Sequence, residues 1–495
     1  MSVASPVALS AATLTACSER VAVPSYDRSR IRAGIAHFGV GGFHRAHQAM
    51  YLDQLMNAGL AQDWGICGVG VLEADRGMKR VLETQDCLYT LVEKHANGEF
   101  KARVVGSIVE YLFAPDDPRA VIARLADPAI RIVSLTITEG GYSIDDITGR
   151  FDPTTADVAR DLERGAPPRS VFGLITAGLA ERRASGQPPF AIVSCDNLQG
   201  NGELTRRVFS EFARFLDPEL AAWIEREVDF PSSMVDRITP VTTDHDRADV
   251  AARFGIVDAW PVVCEPFTQW VLEDFASERP PLENAGVQVV AAVAPYELMK
   301  LRLLNASHQG LCYFGRLCDY TYVHEAAEDM VFRRFLRGYM DDEATPTLAP
   351  VPGVDLDLYK ETLLERFANP EIRDTIARLC AEGSDRIPKW LVPVIREQVA
   401  REGEIARSAA IVASWARYAE GVDEHGLPIE IVDRRREEVM ALARAADPLA
   451  FIENRELFGD LAESERFKDA YLETLRSLHE HGAGATLAAF ANDPG

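Results

Sequence analysis

The chain has 495 residues, of which 47% are hydrophobic and 26% charged; this excludes disordered and collagen-like classes, and the length exceeds one ordinary core. Lys+Arg 52 against Asp+Glu 76 leaves a net charge of −24, which opposes broad attraction to nucleic acid or anionic lipid and requires any anion site to be local. The eight cysteines form no CxxC pair and no Cys/His cluster at ligand spacing, so no metal site is expected and a reducing cytoplasm suits them.

Residues 1–30 read as an N-terminal arm. Leu14-Thr15-Ala16-Cys17 superficially resembles a lipoprotein cleavage site, but no Lys or Arg precedes it, and no apolar run is long enough to span a bilayer. From Arg32 the sequence RAGIAHFGVGGFHRAHQAMYLDQLMNAG predicts a short strand, a glycine-rich turn and a helix ending near Gly59. WGICGVGVLEADRG adds a second strand closed by acidic residues, then a helix through Met78 and Leu82, completing a βαβ unit.

Phe38, Gly39, Gly41, Gly42, Phe43, His44 and Arg45 occupy the turn between strand and helix, the context in which a GxGxxG-like pattern lets backbone approach a pyrophosphate. His44 stands where the third glycine belongs. Glu73 and Asp75, at the end of the second strand, would accept from ribose hydroxyls and repel a 2′-phosphate, favouring NAD over NADP, although they lie farther from Gly41 than is usual; the alternative is a solvated strand end. Ile130–Thr138 and Phe190–Ser194 are further buried-strand candidates, so Glu139-Gly140-Gly141-Tyr142 and Cys195-Asp196-Asn197 fall at the carboxyl edge of a parallel sheet. Gly140-Gly141 is equally readable as a plain turn.

After about residue 285 strand signals nearly vanish and helical patterns follow over 296–317, 325–340, 360–368, 371–381, 389–399, 406–418, 434–446 and 465–479. The expected division is a Rossmann-type α/β domain over 31–285 and a mostly α-helical domain over 286–495, with Pro280-Pro281 near the junction. On the first of these helices, at 100° per residue, Glu297, Lys300 and His308 share a face and Asn305 lies at its edge. Such a polar group on an otherwise apolar face lines a cavity or, alternatively, is a surface face with a Glu297–Lys300 pair. Hydride transfer from a secondary alcohol needs a base and donors for the developing alkoxide; a desolvated Lys300 meets the first need, Asn197 and Asn305 the second.

Several blocks, HFGVGGFHRAH, TEGGY, SCDN, PSSMVDRITP, CEPFTQWVLED, KLRLLNASH and RFANPEIRDTIARLCAEGSDRIPKWLVP, resemble the polyol-specific long-chain dehydrogenases/reductases, and among them most closely the mannitol 2-dehydrogenase group. The resemblance spans nearly the whole chain. It implies a metal-independent cytoplasmic enzyme that oxidises D-mannitol to D-fructose with NAD, a monomer with a weak dimer as the alternative, and no nucleic-acid or membrane partner. By matching positions it implies Lys300 as general acid/base, Asn197 and Asn305 as the oxyanion-stabilising pair, His308 as substrate-orienting and Glu297 as proton relay. Cofactor contacts fall on the glycine turn, Glu73, Asp75, Glu139 and Asn197.

Asp236 matches a position near nicotinamide and substrate. Arg378 and Arg386 match basic positions that hold distal hydroxyls; lysine is common at the second, so Arg386 departs from the pattern, and Lys389 is a candidate to share its role. A hexuronate reductase acting on fructuronate or tagaturonate, with the basic cluster on a carboxylate, a D-arabinitol dehydrogenase, and a non-catalytic NAD-binding sensor are the alternatives.

Overall fold

Ala33–Phe38 forms strand β1, and its residues from Gly34 onward are buried, as a continuous small and apolar run requires when both faces of a parallel strand are covered. A computed structural model describes residues 6–144, 150–163 and 165–492, and divides into Met1–Ala294 and Pro295–Gly495. In the first unit β1 is followed by helices α1 (Gly42–Ala46) and α2 (Gln48–Asn57), then β2 (Gly65–Gly70) and α3 (Arg76–Thr84). The pair β3 (Tyr89–Lys94) and β4 (Phe100–Val105) precedes β5 (Ile108–Phe113), and α4 (Pro118–Ala126) crosses to β6 (Ile132–Leu135). Helix α5 (Val171–Ala184) leads to β7 (Ala191–Ser194) and α6 (Asn201–Leu216) follows.

The sheet order is β5-β2-β1-β6-β7, all parallel. The order reverses direction between β1 and β6, which are directly paired, Phe38 opposite Leu135. That is the topological switch point at which open α/β sheets bind ligands. β8 (Ser233–Asp236) and β10 (Gln269–Glu273) pair antiparallel, β10 and β11 (Gln288–Val290) parallel, and β9 (Val262–Cys264) joins β3 and β4.

The structure amends the expected boundaries. Residues read as an N-terminal arm are packed: Val7–Ala8 pairs with Ile256–Val257, and Leu9 and Cys17 are buried in a small apolar cluster. Gln288–Val290, expected in the helical part, is a strand of the first unit, so the division falls at Ala294/Pro295.

The second unit is helical. Ala294–Met299 (α7) runs without interruption through a π-helical segment, Lys300–Asn305, into α8 (Ala306–Leu317). Helix α8 is almost wholly buried and packs against α9 (Ile376–Cys380) and α11 (Ala406–Ala419), with α10 (Gly383–Trp390) between those two in sequence. The long C-terminal helix α12 (Glu465–Asn492), kinked at Gly482, covers α11. The expected helix over 371–381 is confined to α9 because Arg373 takes a left-handed conformation (φ 52°) that interrupts it. No helix among the described residues is long and apolar enough to cross a membrane.

Candidate active site

The register of the main sheet aligns the carboxyl ends of β1, β2 and β6, and a cleft of about 1140 Å³ opens there, wholly within the first unit. Gly39, Val40 and Gly41 form its floor, Glu73 and Asp75 line one wall, and Thr136, Thr138 and Arg169 line others. Gly39 sits at φ +90°, and a Cβ there would lie 2.0 Å from the Thr136 carbonyl oxygen, so only glycine lets the turn pass this close to β6. Among the described residues lining the cleft Arg169 is the only base, against the acids Glu73, Asp75 and Asp157.

Asp75 Oδ2 accepts from the backbone N–H groups of Val71 and Leu72 (3.0 and 2.9 Å), which fixes the carboxylate at the strand end and leaves Oδ1 for a ligand. Glu73 is tied to Arg76, its Oε2 accepting from Nη2 at 3.0 Å; this pairing holds its carboxyl below the usual range. Of the two acids, Asp75 is the better placed acceptor.

Three residues of the glycine turn keep their side chains out of the cleft. Phe38 is fully buried in the core beside Leu135 and Val133, so its ring does not face the cleft. Arg45 is buried with Nη1 on the Trp260 carbonyl (2.5 Å) and its guanidinium over the Tyr89 ring (5.2 Å). His44 is buried and stacked on His37, ring centroids 3.3 Å apart, with Nδ1 at 3.2 Å from Gln48 Oε1. The physical reason is common to all three: residues flanking the turn belong to the inner faces of β1 and α1, so only backbone at these positions is available to a phosphate. Phe43 is partly buried and stacks on His47 at 4.9 Å. Gly42 opens α1, its would-be Cβ 3.6 Å from Thr239.

Beyond β6 the chain turns sharply. Thr138 has φ 62° and ψ 168°, a conformation almost confined to glycine, and Glu139, exposed, begins the short helix Glu139–Tyr142. What holds this turn is Asp196, which the sequence placed at the sheet edge but without a role. Its buried carboxylate accepts from Ile137 N–H (3.1 Å), Thr138 N–H (2.8 Å) and the Tyr142 hydroxyl (2.8 Å), and Tyr142 also meets Ser194 at 2.6 Å. Burial raises the Asp196 carboxyl, against the pull of these donors. Asn197 follows it, exposed at the end of β7. Asn201 was also missed: its amide donates to the carbonyls of Asp196 and Ser233, joining the ends of β7 and β8. Asp236 closes β8, buried and paired in register with Gln269.

In the second unit Glu297, Lys300 and Asn305 are all buried. On an α-helix Lys300 and Asn305 would stand about 140° apart. The intervening π turn, closed by Ala306 N–H on the Leu301 carbonyl, holds one residue more and brings the two side chains round toward a common face. Asn305 Oδ1 is buried with no hydrogen-bond partner in the structure. An unsatisfied carboxamide is costly to bury and marks a place for a ligand donor. His308, partly exposed, tilts against Phe367 with ring centroids 4.5 Å apart.

The π turn is braced. Arg302 forms a two-pronged pair with Glu397 (2.9 and 2.6 Å) and donates to the Thr347 carbonyl (2.6 Å). The Tyr339 hydroxyl, from a second π-helical segment, Tyr339–Ala344, donates to the Arg302 carbonyl at 3.1 Å.

Of the basic residues, Arg378 is engaged by Asp374 and Lys389 by Asp385 (2.7 Å). Arg386 donates to the Leu379 carbonyl (2.9 Å) and lies over Trp390. Among the described residues no three His, Cys, Asp or Glu side chains converge as a metal would require.

Comparison with known proteins gives a consistent result. The model of the mannitol dehydrogenase Rossmann domain matches residues 33–284, and that of the mannitol dehydrogenase C-terminal domain matches 292–479. A mannitol 2-dehydrogenase of Aspergillus fumigatus is 47% identical over 482 residues, 95% of this chain and 96% of that protein. The Pseudomonas fluorescens mannitol 2-dehydrogenase, solved as a ternary complex with NAD and D-mannitol, is 46% identical with a TM-score of 0.88, covering 99% of this chain and 100% of that one. A D-sorbitol dehydrogenase in substrate-free form gives a TM-score of 0.90 at 38% identity, covering 97% and 100%.

Proposed function

This chain belongs to the mannitol dehydrogenase family, and from that premise we propose that it is an NAD-dependent oxidoreductase interconverting D-mannitol and D-fructose, with Lys300 as acid/base. The observation that carries the reading is the π turn, which brings a buried amine and a buried, unsatisfied carboxamide toward one face. An amine shielded from water accepts a hydroxyl proton more readily at neutral pH than an exposed lysine, because desolvation disfavours its charged form. The Asn305 side-chain N–H is assigned to donate to the substrate oxygen as it gains negative charge, its unpartnered Oδ1 to accept from a substrate hydroxyl, and Asn197 is assigned the first of these tasks as well. Glu297, one helical turn before Lys300, is assigned to relay the lysine's proton toward solvent. His308 is assigned to orient the substrate.

The residues of the first unit fit NAD. The glycine turn stands at the switch point, Asp75 offers an oxygen to ribose hydroxyls, and Arg169 supplies local positive charge in an otherwise acidic cleft. When bound, NAD accepts the hydride that leaves the carbinol carbon. Asp75 also disfavours a 2′-phosphate, which supports NAD over NADP.

A carboxylate-bearing substrate is less well supported than a neutral polyol. Arg378 and Lys389 are already matched by Asp374 and Asp385, and among the described residues Arg386 has no acidic partner, donating to the Leu379 carbonyl instead. The deciding experiment is a panel of mannitol, sorbitol, arabinitol and mannonate with NAD and NADP, repeated after EDTA treatment. Mannitol with NAD, undiminished by EDTA, is the expected best pair; turnover of mannonate alone overturns the substrate, and loss of activity with EDTA overturns metal independence.

A further inference from the structure

Behind the glycine turn the structure holds a chain of hydrogen bonds whose proton positions can be deduced. Thr136 Oγ1 lies 2.7 Å from the Gly39 carbonyl oxygen, and since a carbonyl has no proton, the threonine hydroxyl donates there. Its oxygen is then left to accept, and His37 Nε2 lies 3.0 Å from it. The same Nε2 is 3.3 Å from the Gly39 oxygen, an acceptor only, so Nε2 must carry the hydrogen. Nδ1 is therefore the bare nitrogen, and it accepts from the Ser134 hydroxyl at 2.8 Å. His37 has no exposed surface, and burial depresses its pKa to about 3, so the ring stays neutral and the order of donors is fixed.

The chain ends on the peptide joining Gly39 to Val40. In a trans peptide the C=O and N–H point opposite ways, so holding the Gly39 oxygen on Thr136 turns the Val40 N–H away from it. Gly41 N–H is already spent on the same Gly39 oxygen (2.7 Å), and the N–H of Val40, a residue that lines the cleft, remains to meet an anion there.

We infer that His37, in its Nε2–H form, is a positioning residue for the cofactor: through Thr136 it locks the Gly39–Val40 peptide so that the Val40 N–H serves the pyrophosphate. This rests on the NAD reading above. The test compares Thr136→Val, which keeps shape and removes the hydroxyl, with Thr136→Ser, which restores it. Binding is read by fluorescence titration of NADH and by calorimetry with ADP-ribose, which carries the pyrophosphate, and adenosine, which does not. Thr136→Val is expected to weaken NADH and ADP-ribose about tenfold, the worth of one hydrogen bond in a dry site, leave adenosine as it was, and place its kinetic loss on KM for NAD rather than kcat. Thr136→Ser is expected to recover the affinity, and ¹⁵N spectra of histidine-labelled protein to show His37 protonated on Nε2.

Unaltered ADP-ribose binding by Thr136→Val overturns the inference, as does an equal loss for adenosine or an Nδ1–H signature at His37. A wild-type chain that binds no ADP-ribose sinks the cofactor reading, and this inference with it.

Discussion

Removing the Asp196 carboxylate tests how the strained turn after β6 is held. In Asp196→Ala two backbone N–H groups, of Ile137 and Thr138, lose their acceptor, whereas the Tyr142 hydroxyl keeps Ser194. Each abandoned N–H costs about 1–3 kcal/mol. Against this, Thr138 is freed from a conformation that costs about 1–3 kcal/mol, so the expected net destabilisation is about 2–3 kcal/mol. A companion substitution separates the two effects. With the carboxylate in place, Thr138→Gly relieves the strain and loses about 1 kcal/mol to the greater freedom of unfolded glycine, for a net gain of about 1 kcal/mol. In the Asp196→Ala background the turn has already relaxed, and only the loss of about 1 kcal/mol is left. Urea unfolding of the four proteins of this cycle should therefore show a coupling of about 2 kcal/mol, with Thr138→Gly changing sign between backgrounds. Equal effects of Thr138→Gly in both refute the clamp, and so does an Asp196→Ala midpoint equal to wild type.

Lys300→Ala should lower kcat by about 10²–10⁴-fold while NADH titrates as in wild type; near-normal turnover removes Lys300 as acid/base. Asp75→Ser should shift the ratio of kcat/KM for NAD over NADP toward NADP, and an unchanged ratio refutes the ribose assignment. Acid should destabilise the first unit through its buried imidazoles. His37 is held near 3 against about 6.5 when unfolded, and His44 is shifted the same way, so their contribution is fully present above about pH 6.5 and drains as pH falls. The slope is about 1.4 kcal/mol per pH unit for each ring. His37→Phe, which keeps the stack on His44, should halve that slope between about pH 6 and 4 in urea melts. Parallel slopes would contradict it.

Much of the frame was legible in the residues. β1, the glycine turn and β2 read directly because buried parallel strands are unbroken apolar runs and the turn is spelled in glycine. The helical half was legible from its periodicity, down to the uninterrupted helix through Lys300. What periodicity cannot carry is an inserted residue: a wheel drawn at 100° per step leaves Asn305 at the edge of the face, and the π turn brings it toward Lys300. The directions of the Phe38, His44 and Arg45 side chains were not legible, because the motif specifies a backbone path, whereas those directions are set by β1 and α1 packing inward. Asp196, placed at the sheet edge by the sequence, was given no role for a related reason. Its importance depends on the left-handed turn at Thr138, and a threonine there gives no hint of a conformation ordinarily spelled with glycine. Strand β5, buried only at its two ends and half-buried over its four central residues, with Glu110 among them, lacked the continuous apolar signature of its neighbours.

The wide turn at Lys300–Asn305 also fixes what lies downstream. Gly310 and Gly315 of α8 face Ile411 and Ile376 so closely that a Cβ on either would come within 3.0 Å. Healing the segment into ordinary α-helix with its length unchanged would swing everything after it by about 100°, whereas excising a single residue from 301–304 removes the extra residue the turn holds and leaves the later face nearly where it was. Only in the first case would those two bare flanks rotate off the isoleucines and bulkier neighbours be driven in. A one-residue deletion here should thus spare the packing of the helical half and alter only the local path between Lys300 and Asn305.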